Sequence, residues 1–295
     1  MMRPNNLKTR IFLDGGNADE TREIIELLGF LDGQTTNPTL ISKNPAARKR
    51  LESGESFSST EIFDFYRGVV QTISGLIPRG SVSIEVYADA ATPAEAMIKQ
   101  GREMYSWIPN AHIKFPTSRE GLKAAAQAVQ EGLRVNMTLC FSQEQAAAVY
   151  AATRGAKKGQ VYVSPFIGRL DDLGENGMDV IANIVRMYRK GDGHVEVLTA
   201  SVRSSDHFLY ALMLGSDIIT APYEILKDWG EKGMPVPGND YHYDARSLKP
   251  IPYRELDLNS RWEDLDIRHA LTEKGMERFS ADWNALVKAE KRKIA

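Results

Sequence analysis

Cysteine is all but missing from this sequence: Cys140 is the only one among 295 residues. That excludes an internal disulfide and any thiolate-rich zinc or iron–sulfur site, and it fits a reducing, cytoplasmic setting. Long apolar runs are missing as well. No window approaches the roughly 18 consecutive apolar residues of a membrane-spanning helix. Arg3, Lys8 and Arg10 are not followed by the apolar core of a secretory leader, so neither membrane nor export is expected. An excess of either charge is absent too, since 37 Lys plus Arg stand against 39 Asp plus Glu, a formal net charge of −2. Such a chain argues against nucleic-acid partners, which need a basic face. The histidines, His112, His194, His207, His242 and His269, lack the paired spacing of a zinc site. Gly15 and Gly16 lead into Asn17 without the rest of a phosphate-binding glycine fingerprint. Metal catalysis and nucleotide cofactors are both disfavoured, and the expected partners are small molecules or protein.

What is present is ordinary for a globular chain, with 42% of residues apolar and 26% charged, enough for a packed core. The length suits one α/β barrel of roughly 250 residues with an appendage. Runs rich in Ile, Val, Phe and Thr recur at residues 10–14, 33–37, 81–87, 111–115, 134–141, 160–165, 195–200 and 217–221, each ending in polar or turn residues. They read as buried parallel strands. Between them, Leu122, Ala126, Val129 and Leu133, or Ile181, Ile184, Val185 and Tyr188, fall on one helical stripe. Thr117 with Glu120, Ser142 with Gln145, and Thr92 before Pro93 and Glu95 predict helix starts.

Eight such alternations predict a (β/α)8 TIM barrel over about residues 8–230, with an open doubly wound sheet as the alternative. Three segments fall outside the repeat. Residues 44–79 are charged and predict extra helix, with Ile62, Phe65, Tyr66 and Val69 on one face. Residues 234–252 are rich in Pro, Gly, Asp and Tyr and predict an irregular crossing segment. Met276, Phe279, Trp283 and Val287 predict a C-terminal helix over about 271–291 that docks by this stripe and ends in basic residues. With no internal repeat or clear linker, residues 1–295 read as a single domain.

In a barrel of this type, groups at the C-terminal ends of the strands converge on one mouth where reactions occur. Those ends supply Asp14, Thr35 to Asn37, Glu85, Lys114, Asn136 with Thr138, Ser164, Arg169 and Arg203. Lys114 is the sharpest of them. It sits in Ala-His-Ile-Lys-Phe-Pro, an apolar run where a lysine must either snorkel to solvent or lose its proton. A neutral amine attacks a carbonyl carbon to form a Schiff base. Asp14 and Glu85 have the chemistry to exchange protons with such an adduct, or simply to pair with Lys114 or an arginine. Arg169 and Arg203 suit a bidentate clamp on phosphate, although either alone reads equally as a surface cation. His112, two residues before Lys114, reads as a satisfied core residue. Trp107, Trp229, Trp262 and Trp283 read as core or docking anchors.

Several short motifs occur in one order along nearly the whole chain: Ile11-Phe-Leu-Asp14, Thr35-Thr-Asn-Pro-Thr-Leu-Ile41, Ser83-Ile-Glu-Val86, Ile113-Lys-Phe-Pro116, Asn136-Met-Thr-Leu139, Ser164-Pro-Phe-Ile-Gly-Arg169, Ala200-Ser-Val-Arg203, Leu271-Thr-Glu-Lys-Gly275 and Ala281-Asp-Trp283. In these the chain resembles the transaldolases and the related fructose-6-phosphate aldolases. The resemblance implies a class I aldolase-type barrel with Lys114 as the Schiff-base lysine and no metal or organic cofactor. It implies Asp14 as the acid/base of carbon–carbon cleavage, and Glu85 acting on Schiff-base formation through a water held with Thr138. Asn37 and Asn136 would hold substrate hydroxyls, Thr35, Ser164, Phe166 and Ser201 would complete the pocket, and Arg169 with Arg203 would bind the sugar phosphate.

The implied activity passes a dihydroxyacetone unit between sugar phosphates of the pentose phosphate type. The family includes dimers and larger rings, so the resemblance leaves the oligomeric state open, a homo-oligomer among the alternatives. Transaldolases resemble this chain in having Glu at the place of Glu85 and Phe at that of Phe166, where the aldolase branch tends to Gln and Tyr. A Tyr hydroxyl there could help water resolve the bound enamine, so Phe favours transfer. An aldolase that releases dihydroxyacetone, and a sugar-phosphate-binding barrel without turnover, are the alternatives. Arg119, close after Lys114, reads either as a cation acting on the site or as a solvated first-turn residue.

Overall fold

A computed structural model describes residues 2–245 and 247–287. Parallel strands β1 (Arg10–Asp14), β2 (Gly33–Thr35), β3 (Ser81–Glu85), β4 (Ala111–Pro116), β5 (Val135–Cys140), β6 (Val161–Pro165), β7 (Val195–Thr199) and β8 (Ile218–Ala221) pair in that order. β8 returns to β1, so the sheet is the closed barrel and not the open alternative. Every residue of β3 through β8 is buried. Helices cover the outer face and side chains fill the interior, so both faces are buried, yet β3, β4 and β5 alternate, with Ser81, Ser83 and Glu85, His112 and Lys114, and Asn136 and Thr138 between apolar residues.

Helix α1 (Ala18–Leu28) follows β1, and α2 (Pro38–Ser42), α3 (Pro45–Glu52) and α4 (Ser59–Leu76) follow β2. Then α5 (Ala94–Tyr105), α6 (Arg119–Gln130) and α7 (Gln143–Ala152) follow β3, β4 and β5. The pair α8 (Ile167–Asp171) and α9 (Gly177–Tyr188) follows β6, while α10 (Ser205–Leu214) and α11 (Tyr223–Glu231) follow β7 and β8. Helix α12 (Ala270–Asn284) comes last. Residues 288–291 of the expected C-terminal helix lie outside the described residues. Among the described residues no helix is long and apolar enough to cross a membrane.

Two expected helix starts are corrected. Ser118, not Thr117, caps α6, its Oγ accepting from Gly121 N at 3.1 Å. Thr117 instead extends the strand, both its N and its Oγ1 donating to Thr138 O, and Glu120 accepts from Ala94 N rather than closing a box. Pro93 itself occupies the cap of α5 without a side-chain bond, because the Thr92 hydroxyl donates to Asp89. Ser142 caps α7 as expected, while Gln145 accepts from Phe141 N. On α4, Ile62 and Tyr66 are buried as expected, but the stripe continues through Val70 and Ile73.

The crossing segment after α11 straps the outside of the barrel. Tyr241 Oη donates to Asp206 on α10, Ile251 N to Asp179 on α9, Arg254 N to Gln143 on α7, and Arg119 on α6 donates to Glu263 O. The strap delivers α12 across the C-terminal mouth, where it packs on α2.

Candidate active site

Lys114 is the fourth residue of β4, and its side chain is only 4% exposed. Its Nζ donates to Thr36 O at 2.9 Å and lies 2.8 Å from Glu85 Oε2, outside hydrogen-bonding angles. The register makes this contact, since Glu85 on β3 and Asn136 on β5 flank Lys114 on its two neighbouring strands. Asp14, at the end of β1, accepts from Thr35 Oγ1 at 2.7 Å, and Thr35 Oγ1 in turn accepts from Thr220 Oγ1 at 2.6 Å. Asn136 accepts from Ser164 Oγ at 2.6 Å and donates to Ser83 Oγ at 3.0 Å.

A cavity of about 200 Å3 opens at the mouth. It is lined by nine of the twelve expected site residues: Asp14, Thr35, Asn37, Lys114, Ser164, Phe166, Arg169, Ser201 and Arg203. Glu85, Asn136 and Thr138 stand behind this lining. Glu85 reaches the cavity through Lys114, and Asn136 reaches it through Ser164. Thr138 is fully buried, and its Oγ1 has no hydrogen-bond partner among the described residues. Asn37 both lines the cavity and caps α2, its Oδ1 accepting from Leu40 N.

Sequence reasoning missed Thr220, Lys43, Arg278 and Phe279, which line the same cavity. Thr220 lies in the last strand run and was within reach of the strand-end rule. Lys43 and Arg278 stand on the end of α2 and on α12, where no strand pattern points to them.

Burial pushes the Asp14 carboxyl up, against the pull of Lys114 and the Thr35 hydrogen bond. Burial also pushes Glu85 up, opposed by Lys114 and Arg169. Two carboxyls held above their ordinary range beside one buried amine are placed to exchange protons with it or with an adduct on it. Arg169 is pushed down, first by burial and then by the neighbouring charge of Arg278. Among the described residues Arg169 makes no hydrogen bond or ion pair; its guanidinium lies 5.4 Å from the ring centres of Phe166 and Phe279. Arg203 differs, being half exposed and paired through both nitrogens with Asp172. An unpaired guanidinium with a second cation near it is a ready site for an anion.

The mouth stores backbone strain at two points. Leu139 and Ser201, at the ends of β5 and β7, have φ of 57° and 58°, a region that costs a non-glycine residue roughly 1 kcal/mol or more. The Leu139 carbonyl accepts from Thr272 Oγ1 on α12 at 2.9 Å, which ties the strained strand end to that helix. A Cβ on Gly275 of α12 would stand 2.6 Å from Leu139 Cδ2 and 2.8 Å from Arg169 Nη1. An alanine there would require both of these side-chain ends to give way.

The remaining expectations resolve simply. His112 is buried, bonded to Ser81 Oγ and Gly159 O, and pushed down to about 3 chiefly by burial. It is a core residue. Arg119 is an exposed first-turn residue outside the cavity.

Residues 11–290 match the family model described as transaldolase/fructose-6-phosphate aldolase. A relative from Dehalococcoides mccartyi named "Probable transaldolase" is 36% identical over 95% of this chain and 100% of its own length. Relatives of the same name from Roseiflexus sp. and Thermus thermophilus are each 34% identical, covering 94% and 92% of this chain and 97% of their own lengths. Among solved structures, 3-hexulose-6-phosphate synthase from Salmonella typhimurium aligns with a TM-score of 0.47 at 12% identity, over 76% of this chain and 99% of that one. Barrel closure rests on the strand pairing described above, and on sequence the chain belongs to the transaldolase/fructose-6-phosphate aldolase family.

Proposed function

We propose that this chain is a transaldolase. It takes a dihydroxyacetone unit from a ketose phosphate, such as fructose 6-phosphate or sedoheptulose 7-phosphate, and gives it to erythrose 4-phosphate or glyceraldehyde 3-phosphate. The observation that carries this reading is the buried Lys114 nitrogen, 2.8 Å from one raised carboxyl and sharing its cavity with a second. Lys114 Nζ attacks the ketone carbon C2. The ketone oxygen leaves as water, with protons passed by Glu85 through a water beside Thr138, and an iminium remains. The Asp14 carboxylate takes the proton of the C4 hydroxyl and the C3–C4 bond breaks. Its electron pair flows into the iminium to give an enamine, and the aldose phosphate departs. The enamine carbon then attacks the acceptor aldehyde, Asp14 returns the proton to the new alkoxide, and water frees the lysine.

Asn37, Asn136 and Ser164 serve the substrate hydroxyls, and Thr35 orients Asp14. Phe166 and Ser201 complete the wall. Arg169, Arg203 and Arg278 receive the phosphate. The Phe166 ring brings no hydroxyl to the cavity, which favours transfer over hydrolytic release. The reading involves small sugar phosphates in the cytoplasm, no nucleic acid and no membrane, with self-association as in the family. Borohydride reduction with fructose 6-phosphate, followed by peptide mass mapping, is expected to leave one adduct, on Lys114. An adduct elsewhere, or none, refutes the reading, as does normal turnover in Lys114→Arg. Release of free dihydroxyacetone faster than transfer to erythrose 4-phosphate would make the chain an aldolase instead.

A further inference from the structure

Strand β2 stops at Thr35, and the chain turns into α2 at Pro38. The strand end beside it is left with Glu85 N on β3 and Thr36 Oγ1, neither served by a ladder bond from β2. A side chain from α4 serves both. Tyr66 Oη accepts from Glu85 N at 3.0 Å and donates to Thr36 Oγ1 at 2.5 Å. The direction of the second bond is set by Thr36, whose own hydroxyl proton goes to Ser83 O at 2.7 Å. The Thr36 carbonyl is the acceptor for Lys114 Nζ. One buried phenol thus touches the residue that orients the amine and the residue that carries the neighbouring carboxyl.

We propose that Tyr66 is a positioning residue for the Lys114–Glu85 pair, and that α4 contributes to the reaction through this hydroxyl. The inference rests on the Schiff-base reading of Lys114. Tyr66 is fully buried and does not line the cavity, so it acts through Thr36 and Glu85 and not on substrate. Burial pushes its phenol well above the ordinary range, which keeps it a proton donor to Thr36. Its ring is held edge-on by Trp107 and tilted against Trp283, each 6.0 Å away between ring centres. Its two hydrogen bonds fix where the hydroxyl stands, and the ring contacts fill the core around it. Trp283 belongs to α12, so the helix over the mouth and the tether of the amine share one aromatic cluster.

The test is Tyr66→Phe, which keeps the ring and removes the two hydrogen bonds. At saturating fructose 6-phosphate, the rate of borohydride trapping on Lys114 and kcat for transfer are expected to fall together, about ten-fold, with KM within about two-fold of the wild type. Trp107→Phe, which trims only the ring's packing, is expected to lower Tm and leave kcat per folded enzyme unchanged. Wild-type trapping in Tyr66→Phe, a loss carried by KM alone, or an equal kcat loss in Trp107→Phe would each overturn the proposal. If Tyr66→Phe does not fold, Thr36→Val is read instead: it removes the phenol's acceptor and the bond to Ser83 O but keeps the Glu85 N link and the Thr36 carbonyl, so a smaller joint fall in trapping and kcat with KM kept is expected, and wild-type trapping overturns the proposal. Adding Thr36→Val to Tyr66→Phe should cost less than the sum of the two single losses, since the Tyr66–Thr36 bond is common to both. A wild type that never traps on Lys114 refutes the Schiff-base reading itself; a wild type that traps no faster than Tyr66→Phe refutes only the role of Tyr66.

Discussion

Replacing Gly275 with alanine asks whether α12 sets the position of Arg169, the arginine proposed to receive the phosphate. The added methyl would stand 2.8 Å from Arg169 Nη1 and 2.6 Å from Leu139 Cδ2, where ordinary contact begins at 3.4 Å. Both atoms end flexible side chains, so the Arg169 guanidinium and the Leu139 methyl must each give by roughly half an ångström or more. On stability two terms oppose each other. Alanine inside a helix gains about 1 kcal/mol over glycine, while overpacking costs about 1–3 kcal/mol. The net lies between no change and a loss of about 2 kcal/mol, a Tm drop of at most about 3–4 °C for a chain of this size.

Activity should separate more clearly. A charged hydrogen bond to phosphate contributes about 1.5–3 kcal/mol, so losing it lowers the efficiency of adduct formation with fructose 6-phosphate about 10- to 150-fold. Unphosphorylated fructose makes no such bond and should react as with the wild type. The assay is the concentration dependence of borohydride trapping on Lys114 with each sugar. Gly68→Ala is the control, since nothing lies within 4 Å of that position, and it should gain stability and keep both rates. Equal losses for both sugars, or none for either, would refute the argument.

Two further substitutions address the charges around the lysine. Burial raises Asp14, so the folded chain holds that proton more tightly than the unfolded chain, and its ionisation costs stability as pH rises from 3.8 through the folded value. Asp14→Asn should thus raise Tm at pH 7, the gain shrinking as pH falls toward 4, while trapping on Lys114 persists and carbon–carbon cleavage drops at least about 100-fold. A Tm below that of the wild type at pH 7, measured by calorimetry, would contradict this. Arg278→Gln should raise KM for fructose 6-phosphate about five-fold or more with kcat kept, and leave trapping by unphosphorylated fructose unchanged. An unchanged KM would remove Arg278 from the phosphate site.

Much of this protein was legible in its residues. Short runs rich in Ile, Val and Phe mark the eight strands, and the polar residues set between the apolar ones, Lys114 above all, stand out because both faces of these strands are buried. Strand ends in a barrel converge, so the sequence alone gathers Asp14, Glu85, Lys114 and Ser164 at one mouth. The local sequence was less decisive where two hydroxyls competed for one role. Thr117 and Ser118 are both capable caps for α6, and only the extra bonds of Thr117 to Thr138 O assign the cap to Ser118.

Tertiary structure decided the rest. Glu85 stands behind Lys114 and not in the cavity because the two are register partners on adjacent strands. Tyr66 meets Thr36 and Glu85 because β2 ends early and α4 packs over the gap. Arg278, Phe279 and Gly275 reach the mouth only because the strap carries α12 over it. Apolar periodicity records which faces of an element are buried, and so it reveals the elements. It carries no record of which distant polar groups those faces bring together, because such contacts depend on the path of the whole chain.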